Sequence, residues 1–176
     1  DATQVAAIEG LGLPRLYERA PAVPRAIVVA ESRVEPDANA QTDAMFSADF
    51  DPSRVVLLQA PPPEPTPATG EPPATASAEI VEDATSHVVV RASVPAPDGL
   101  LVLADTYDPY WSATVDGRPA QMLRANGLFR AVRLGAGEHV VRFEYHPKPF
   151  YLGIAVTLVT AIALAGASLG EIRAKR

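Results

Sequence analysis

The chain has no cysteine. That removes a disulfide framework and any thiolate-bound metal site. It does not argue against a location outside the cell, because a domain of this size holds together without disulfides. Histidine is scarce: His87, His139 and His146 are the only three. His139 and His146 are seven apart on one predicted strand and so point to opposite faces, which does not suit a shared metal. There is no basic stripe, and the formal net charge is −6, which excludes a nucleic-acid partner. No glycine-rich phosphate loop follows a strand, and no nucleophile has a base nearby in sequence. The reading is of a chain with no catalytic residues, no metal site and no cofactor of its own.

Two things are present in excess. One is proline, 18 of 176 residues, against a usual share of about 5%. The other is Phe150–Leu169, a run with no charge and no proline. As a helix it reaches roughly 30 Å, the thickness of a bilayer's hydrocarbon core. A buried helix of a soluble domain usually keeps a polar stripe; here the only polar side chains are Tyr151, Thr157, Thr160 and Ser168. The threonines can bond back to their own helix or to a neighbouring one. The run reads as a transmembrane helix. Arg173, Lys175 and Arg176 follow it, and cytoplasmic flanks favour Lys and Arg, so the tail is expected inside and everything before Phe150 outside. A C-terminal position does not suit a signal peptide, and the charged tail does not suit a lipid-anchor signal. Because the first residue is Asp, the chain is expected to be a piece of a longer protein whose earlier spans are missing.

The remaining residues, about 149, are enough for one domain with a core. Pro14, Pro21 and Pro24 punctuate the start and block a long helix after Gly12. Ile27–Val29 and Arg54–Gln59 read as strands, either joined to the main sheets or forming a small α/β flank. Between them a short helix is expected from Asp37, as cap, to about Ser47, followed by a turn at Asp51-Pro52-Ser53. Residues 61–75 are rich in proline and favour extended, solvated conformations; a ligand for a proline-binding module is the sharper and less favoured reading.

From Ala78 on the chain reads as strands: Ala78–Glu82, His87–Val94, Leu100–Thr106, Trp111–Val115, Ala120–Arg124, Leu128–Leu134 and Glu138–His146. Pro95–Gly99 links two of them. Asp116-Gly117 and Asn126-Gly127 supply the positive backbone angles of tight hairpins, and Gly135-Ala136-Gly137 a slightly longer turn. Trp111, Ala113 and Val115 alternate with Ser112, Thr114 and Asp116, and Val141, Phe143 and Tyr145 with Arg142, Glu144 and His146. The fold class expected is mainly β: an antiparallel β-sandwich of jelly-roll or immunoglobulin-like type, with a small α/β N-terminal flank and one C-terminal transmembrane helix. The expected divisions are an N-terminal flank at 1–60, a proline-rich linker at 61–77, the sandwich at 78–148, the span at 149–170 and a basic cytoplasmic tail at 171–176.

Candidate binding residues cluster around the only tryptophan. Tyr107, Tyr110, Trp111 and Phe129 could form an aromatic platform for sugars, with Tyr107, Tyr110 and Trp111 the substrate-binding candidates. The phase of Trp111 with Ala113 and Val115 favours a core position for that ring; Tyr107 and Tyr110 are less committed. Asp105, Asp108 and Asp116 flank the same strand. Paired carboxylates can serve acid–base chemistry or calcium, but Asp108 before proline and Asp116 before glycine read first as turn formers.

Residues Leu101–Gly117, with the core Asp105-Thr106-Tyr107-Asp108-Pro109-Tyr110-Trp111, resemble the C-terminal signature of the bacterial YfhO-like membrane proteins. The resemblance continues through Arg124–Val132, Gly135–His139 and Phe143–Pro147 into Leu152-Gly153. Pro24-Arg25-Ala26 and Asp49-Phe50-Asp51-Pro52 also fit. Tyr110 stands where the family usually has glycine.

The resemblance implies the C-terminal extracytoplasmic region of a multi-spanning GT-C-like glycosyltransferase in the bacterial cytoplasmic membrane. Such an enzyme takes sugar from a polyprenyl-phosphate-linked donor and passes it to a cell-envelope glycan or polymer. The family's catalytic acidic residue lies near the first spans, outside this sequence, so no catalytic residue is carried over. The partners implied are the membrane, the remaining transmembrane segments of the parent protein and an envelope glycan. A membrane-tethered carbohydrate-binding module and a purely structural assembly domain are the competing readings.

Overall fold

A computed structural model describes residues 2–6, 16–19, 22–67 and 72–174. Among the described residues, eleven strands and two helices follow in order. They are β1 (Ala2–Ala6), β2 (Leu16–Arg19), β3 (Ala26–Val29), β4 (Glu31–Val34), α1 (Ala38–Met45), β5 (Val55–Leu58), β6 (Ser77–Ala84), β7 (His87–Thr106), β8 (Trp111–Val115), β9 (Arg118–Ala120), β10 (Leu123–Ala125), β11 (Phe129–Tyr145) and α2 (Lys148–Ala174). Strands β1 and β2 pair with each other. The expectation for residues 1–21 otherwise lies outside the described residues, as do 68–71 of the proline-rich stretch and the last two residues of the basic tail.

The chain is mainly β, as expected, but not as two separate antiparallel sheets. Strands β3 to β11 form one hydrogen-bonded nine-stranded sheet. It is mixed, because β4 and β5 run parallel. The reason lies in β7 and β11. The sequence divides each into two strands with a turn between; each is instead one long strand with a kink. The kinks face each other, Gly135 opposite Asp98 and Gly137 opposite Val94. Residues 95–97 have no register partner there, so Pro95 and Pro97 sit where no ladder N–H is required. Both strands bend together and the ladder continues past the bend.

The bend folds the sheet over one core. Val88, Val90, Ala92 and Val94 before the kink of β7 cluster with Leu101 and Leu103 after it. On β11, Val132 and Leu134 meet Val141 and Phe143 across the kink. A second cluster forms on the other face of the later half, where Leu100 and Val102 pack with Val29, Val56, Leu58 and Leu123. Burial on both faces explains the unbroken run Leu100–Leu103.

The first part of the chain joins this sheet. Strand β3 pairs with β7, and β5 pairs with β10. Strands β4 and β5 with α1 between them make a small α/β unit. Helix α1 starts where expected: the Asp37 carboxylate accepts the Ala40 N–H at 2.8 Å. Asp51 accepts the Ser53 N–H at 2.9 Å and its hydroxyl at 2.6 Å, which makes the expected turn and, with the hydroxyl bond leading, holds the Asp51 carboxyl below its usual range. Both tight hairpin turns are present, with positive φ at Asp116 and Gly117 and at Asn126 and Gly127. The strand expected at Ala120–Arg124 is divided into β9, paired with β8, and β10, paired with β11 and β5. Strand β4 went unread because Glu-Ser-Arg-Val is exposed at every position and carries no alternating pattern.

The proline-rich stretch is tied down at one end. Gly135 N–H donates to the Thr66 carbonyl at 2.8 Å, and Arg133 donates to the Pro63 carbonyl at 2.9 Å. Helix α2 follows β11 after only His146 and Pro147. It is 27 residues long, and every described side chain on it, residues 148–162, is exposed. Among the described residues no helix is long and apolar enough to cross a membrane.

Candidate functional site: the open end of the folded sheet

Because β7 and β11 are bent back on themselves, their two ends meet at one end of the molecule. On β11 the core row Arg130, Val132, Leu134 begins with a cation, and the row Val141, Phe143, Tyr145 ends with a tyrosine. Trp111 begins the row Trp111, Ala113, Val115 and lies opposite Tyr145 in register. Arg130 points inward because it is in phase with Val132 and Leu134 on β11; opposite it the register skips Ala104 and Asp105 of β7.

Arg130 is therefore a buried guanidinium, 3% exposed. It lies 3.8 Å from the centroid of the Trp111 ring and 5.6 Å from that of Phe143. Its Nη2 donates to Asp105 Oδ2 at 2.7 Å. Its Nε and Nη1 have no hydrogen-bond partner among the described residues. Burial lowers the Arg130 pKa, which the Asp105 charge opposes; a guanidinium nevertheless stays charged at any physiological pH.

Arg25 completes the cluster. Its carbonyl accepts the Ala104 N–H at 2.7 Å, which sets it beside Asp105. Its Nε and Nη2 donate to the two Asp105 oxygens, each at 2.8 Å. Its Nη1 donates to Asp83 Oδ2 at 2.6 Å. The Arg25 bonds, chiefly that to Asp105, raise its pKa further above the physiological range. The Arg25 hydrogen bond, and then the Arg130 charge, hold the Asp105 carboxyl below the usual carboxylate range against the effect of burial. Asp83 and Trp111 belong to one half of the folded sheet, Arg25 and Arg130 to the other, so the cluster clasps the two halves. Together these residues line an open cleft of about 730 Å³.

The aromatic candidates are not brought together. Trp111 is half-buried against the core, and its ring is 5.2 Å from that of Tyr145. Tyr107 lines a different hollow of about 200 Å³ with Leu58, Met122 and Arg124, its ring under the Arg124 guanidinium at 5.3 Å. Tyr110 is half-buried. Its N–H donates to Asp108 Oδ1 at 2.8 Å, and its carbonyl accepts the His146 N–H at 2.8 Å. Asp108 is thus a turn former. So is Asp116, whose carboxylate accepts the Val140 N–H at 2.8 Å and meets His139 Nδ1 at 2.8 Å. The His139 Nε2 lies 3.0 Å from the Gly135 carbonyl.

Sequence reasoning missed Arg25, Asp83 and Arg130. The signal for Arg130 was present: a charged residue in phase with Val132 and Leu134 on a buried strand. Arg25 stood only within the Pro24-Arg25-Ala26 stretch of the resemblance, with no role attached, and Asp83 gave no signal, since only the fold brings β6 and the start of β3 to Asp105.

Residues 74–157 match the family described as bacterial membrane protein YfhO. The match supports membership of the YfhO-like family of bacterial membrane proteins over this stretch. The matched stretch runs from β6 through β11 into α2, and contains Asp83, Asp105, Trp111 and Arg130. Membership associates this YfhO-like chain with a bacterial membrane. No curated protein and no solved structure matches the chain at a significant level.

Proposed function

We propose that the chain is the extracytoplasmic, non-catalytic C-terminal domain of a multi-spanning membrane glycosyltransferase, anchored by α2 and helping to position the acceptor glycan. The donor would be a polyprenyl-phosphate-linked sugar, handled by parts of the parent protein outside this chain. The observation that carries the reading is the junction of β11 and α2. Only two residues separate them, so the sheet is held close to whatever the helix enters. Phe150, Leu152, Val156, Leu158, Val159 and Ile162 lie more than half exposed on that helix. A helix that is apolar on all sides needs a covering other than water. Beyond Ile162, the last described side chain of the helix, the sequence carries the uncharged run on to Leu169; the whole run from Phe150 has the length a bilayer crossing needs, and the basic residues beyond it favour a cytoplasmic tail.

Carbonate extraction of bacterial membranes carrying the full chain tests the anchor. The chain is expected to stay with the membrane pellet, and a Leu158→Arg, Ile162→Arg double variant to shift toward the supernatant. Release of the unaltered chain would overturn the reading.

A further inference from the structure

We propose that the cleft at the open end of the sheet is a subsite for a neutral sugar ring presented at the membrane surface, with Asp83, Asp105, Arg25 and Arg130 as its polar contacts and Trp111 as its wall. This rests on the anchored reading above.

Place is the first argument. Trp111 is the register partner of Tyr145, and α2 begins at Lys148. Three residues of extended chain cover at most about 10 Å, so the cleft opens at the end of the domain from which the helix leaves. Charge is the second. Two guanidinium groups and two carboxylates sum to zero. A phosphate entering there meets Asp83 and Asp105, and an ammonium group meets Arg25 and Arg130. A neutral polyol meets neither penalty.

The third argument is hydrogen-bonding supply. Asp83 is 53% exposed and Asp105 19%, so carboxylate acceptors stand beside guanidinium donors at fixed spacing, an arrangement that suits vicinal hydroxyls. Arg130 lines the cleft as a buried cation with two nitrogens, Nε and Nη1, lacking a partner among the described residues. Buried donors are normally satisfied, and a hydroxyl oxygen seated in the cleft is the acceptor these nitrogens lack. The Trp111 face is already covered by Arg130, so the indole serves as an edge and wall rather than as a stacking platform.

Trp111 is the chain's only tryptophan, which makes its emission a direct report on the cleft. The full chain in lipid nanodiscs is titrated with methyl glucoside, methyl galactoside and N-acetylglucosamine, with inorganic phosphate and acetate as charged comparators. A second set of nanodiscs contains a monoglucosyl lipid, which separates a lipid head group from a free sugar. Saturation-transfer NMR of the sugar protons covers binding that leaves the indole unmoved. At least one neutral sugar, free or lipid-borne, is expected to bind saturably, and Asp83→Asn to weaken it at least fivefold while Tyr107→Ala leaves it unchanged. No sugar binding by inserted, folded chain, binding of phosphate or acetate as tight as that of sugar, or indifference to Asp83→Asn would each overturn the subsite. Insertion is scored separately by carbonate extraction, so a failed subsite and a failed anchor are told apart.

Discussion

At the scale of single residues, stability turns on the clasp between Asp105 and its two arginines. Removing one partner of a buried pair leaves the other charge uncompensated. Asp105→Asn is expected to cost about 2–3 kcal/mol at neutral pH, measured by denaturant unfolding. The same contact sets a pH dependence. The Asp105 carboxyl is held below its unfolded value by Arg25 and Arg130, so its contribution is complete above about pH 4 and is lost as pH falls through the lowered folded value. The Asp105→Asn variant should therefore lose less stability on acidification than the unaltered chain; an equal loss would contradict the assignment. Trp111→Ala is expected to cost about 3 kcal/mol, because a half-buried indole leaves both the core and the Arg130 face. An unchanged melting midpoint would remove Trp111 from the core.

At the scale of elements, the bends and tight turns carry the fold. Gly135 is required by space: a Cβ there would lie 2.8 Å from the Thr66 carbonyl oxygen, and that oxygen is backbone. Gly135→Ala should displace the proline-rich segment and cost about 1–3 kcal/mol, with faster proteolysis near Thr66. Asn126 does two jobs at once. It adopts positive φ, and its buried Oδ1 accepts the Leu57 N–H at 2.9 Å. Asn126→Ala strands that N–H and should cost about 2–3 kcal/mol in the same unfolding assay.

These elements also show what a sequence can reveal. The hairpin turns were legible because Asp-Gly and Asn-Gly impose local backbone angles. The kinks of β7 and β11 were not, because proline and glycine mark a turn and a paired bend alike; only the partner strand decides between them. Arg130 was visible as a charge in a buried row. Arg25, which shares Asp105 with it, and Asp83, which bonds Arg25, were hidden, since their meeting depends on folding the whole sheet.

At the scale of the whole molecule, one sheet folds over a core, closes its open end with an ionic clasp and passes directly into an apolar helix. In the function proposed above, this sheet stands outside the cell on a helix that crosses the membrane. The absence of cysteine makes the test clean. Glu79, on exposed β6 positions, and Lys175, in the basic tail, are replaced singly by cysteine in intact cells, and labelling by a membrane-impermeant maleimide is compared with labelling after lysis. Glu79→Cys is expected to label in intact cells and Lys175→Cys only after lysis. Labelling of both before lysis, or of Lys175→Cys alone, would contradict that topology.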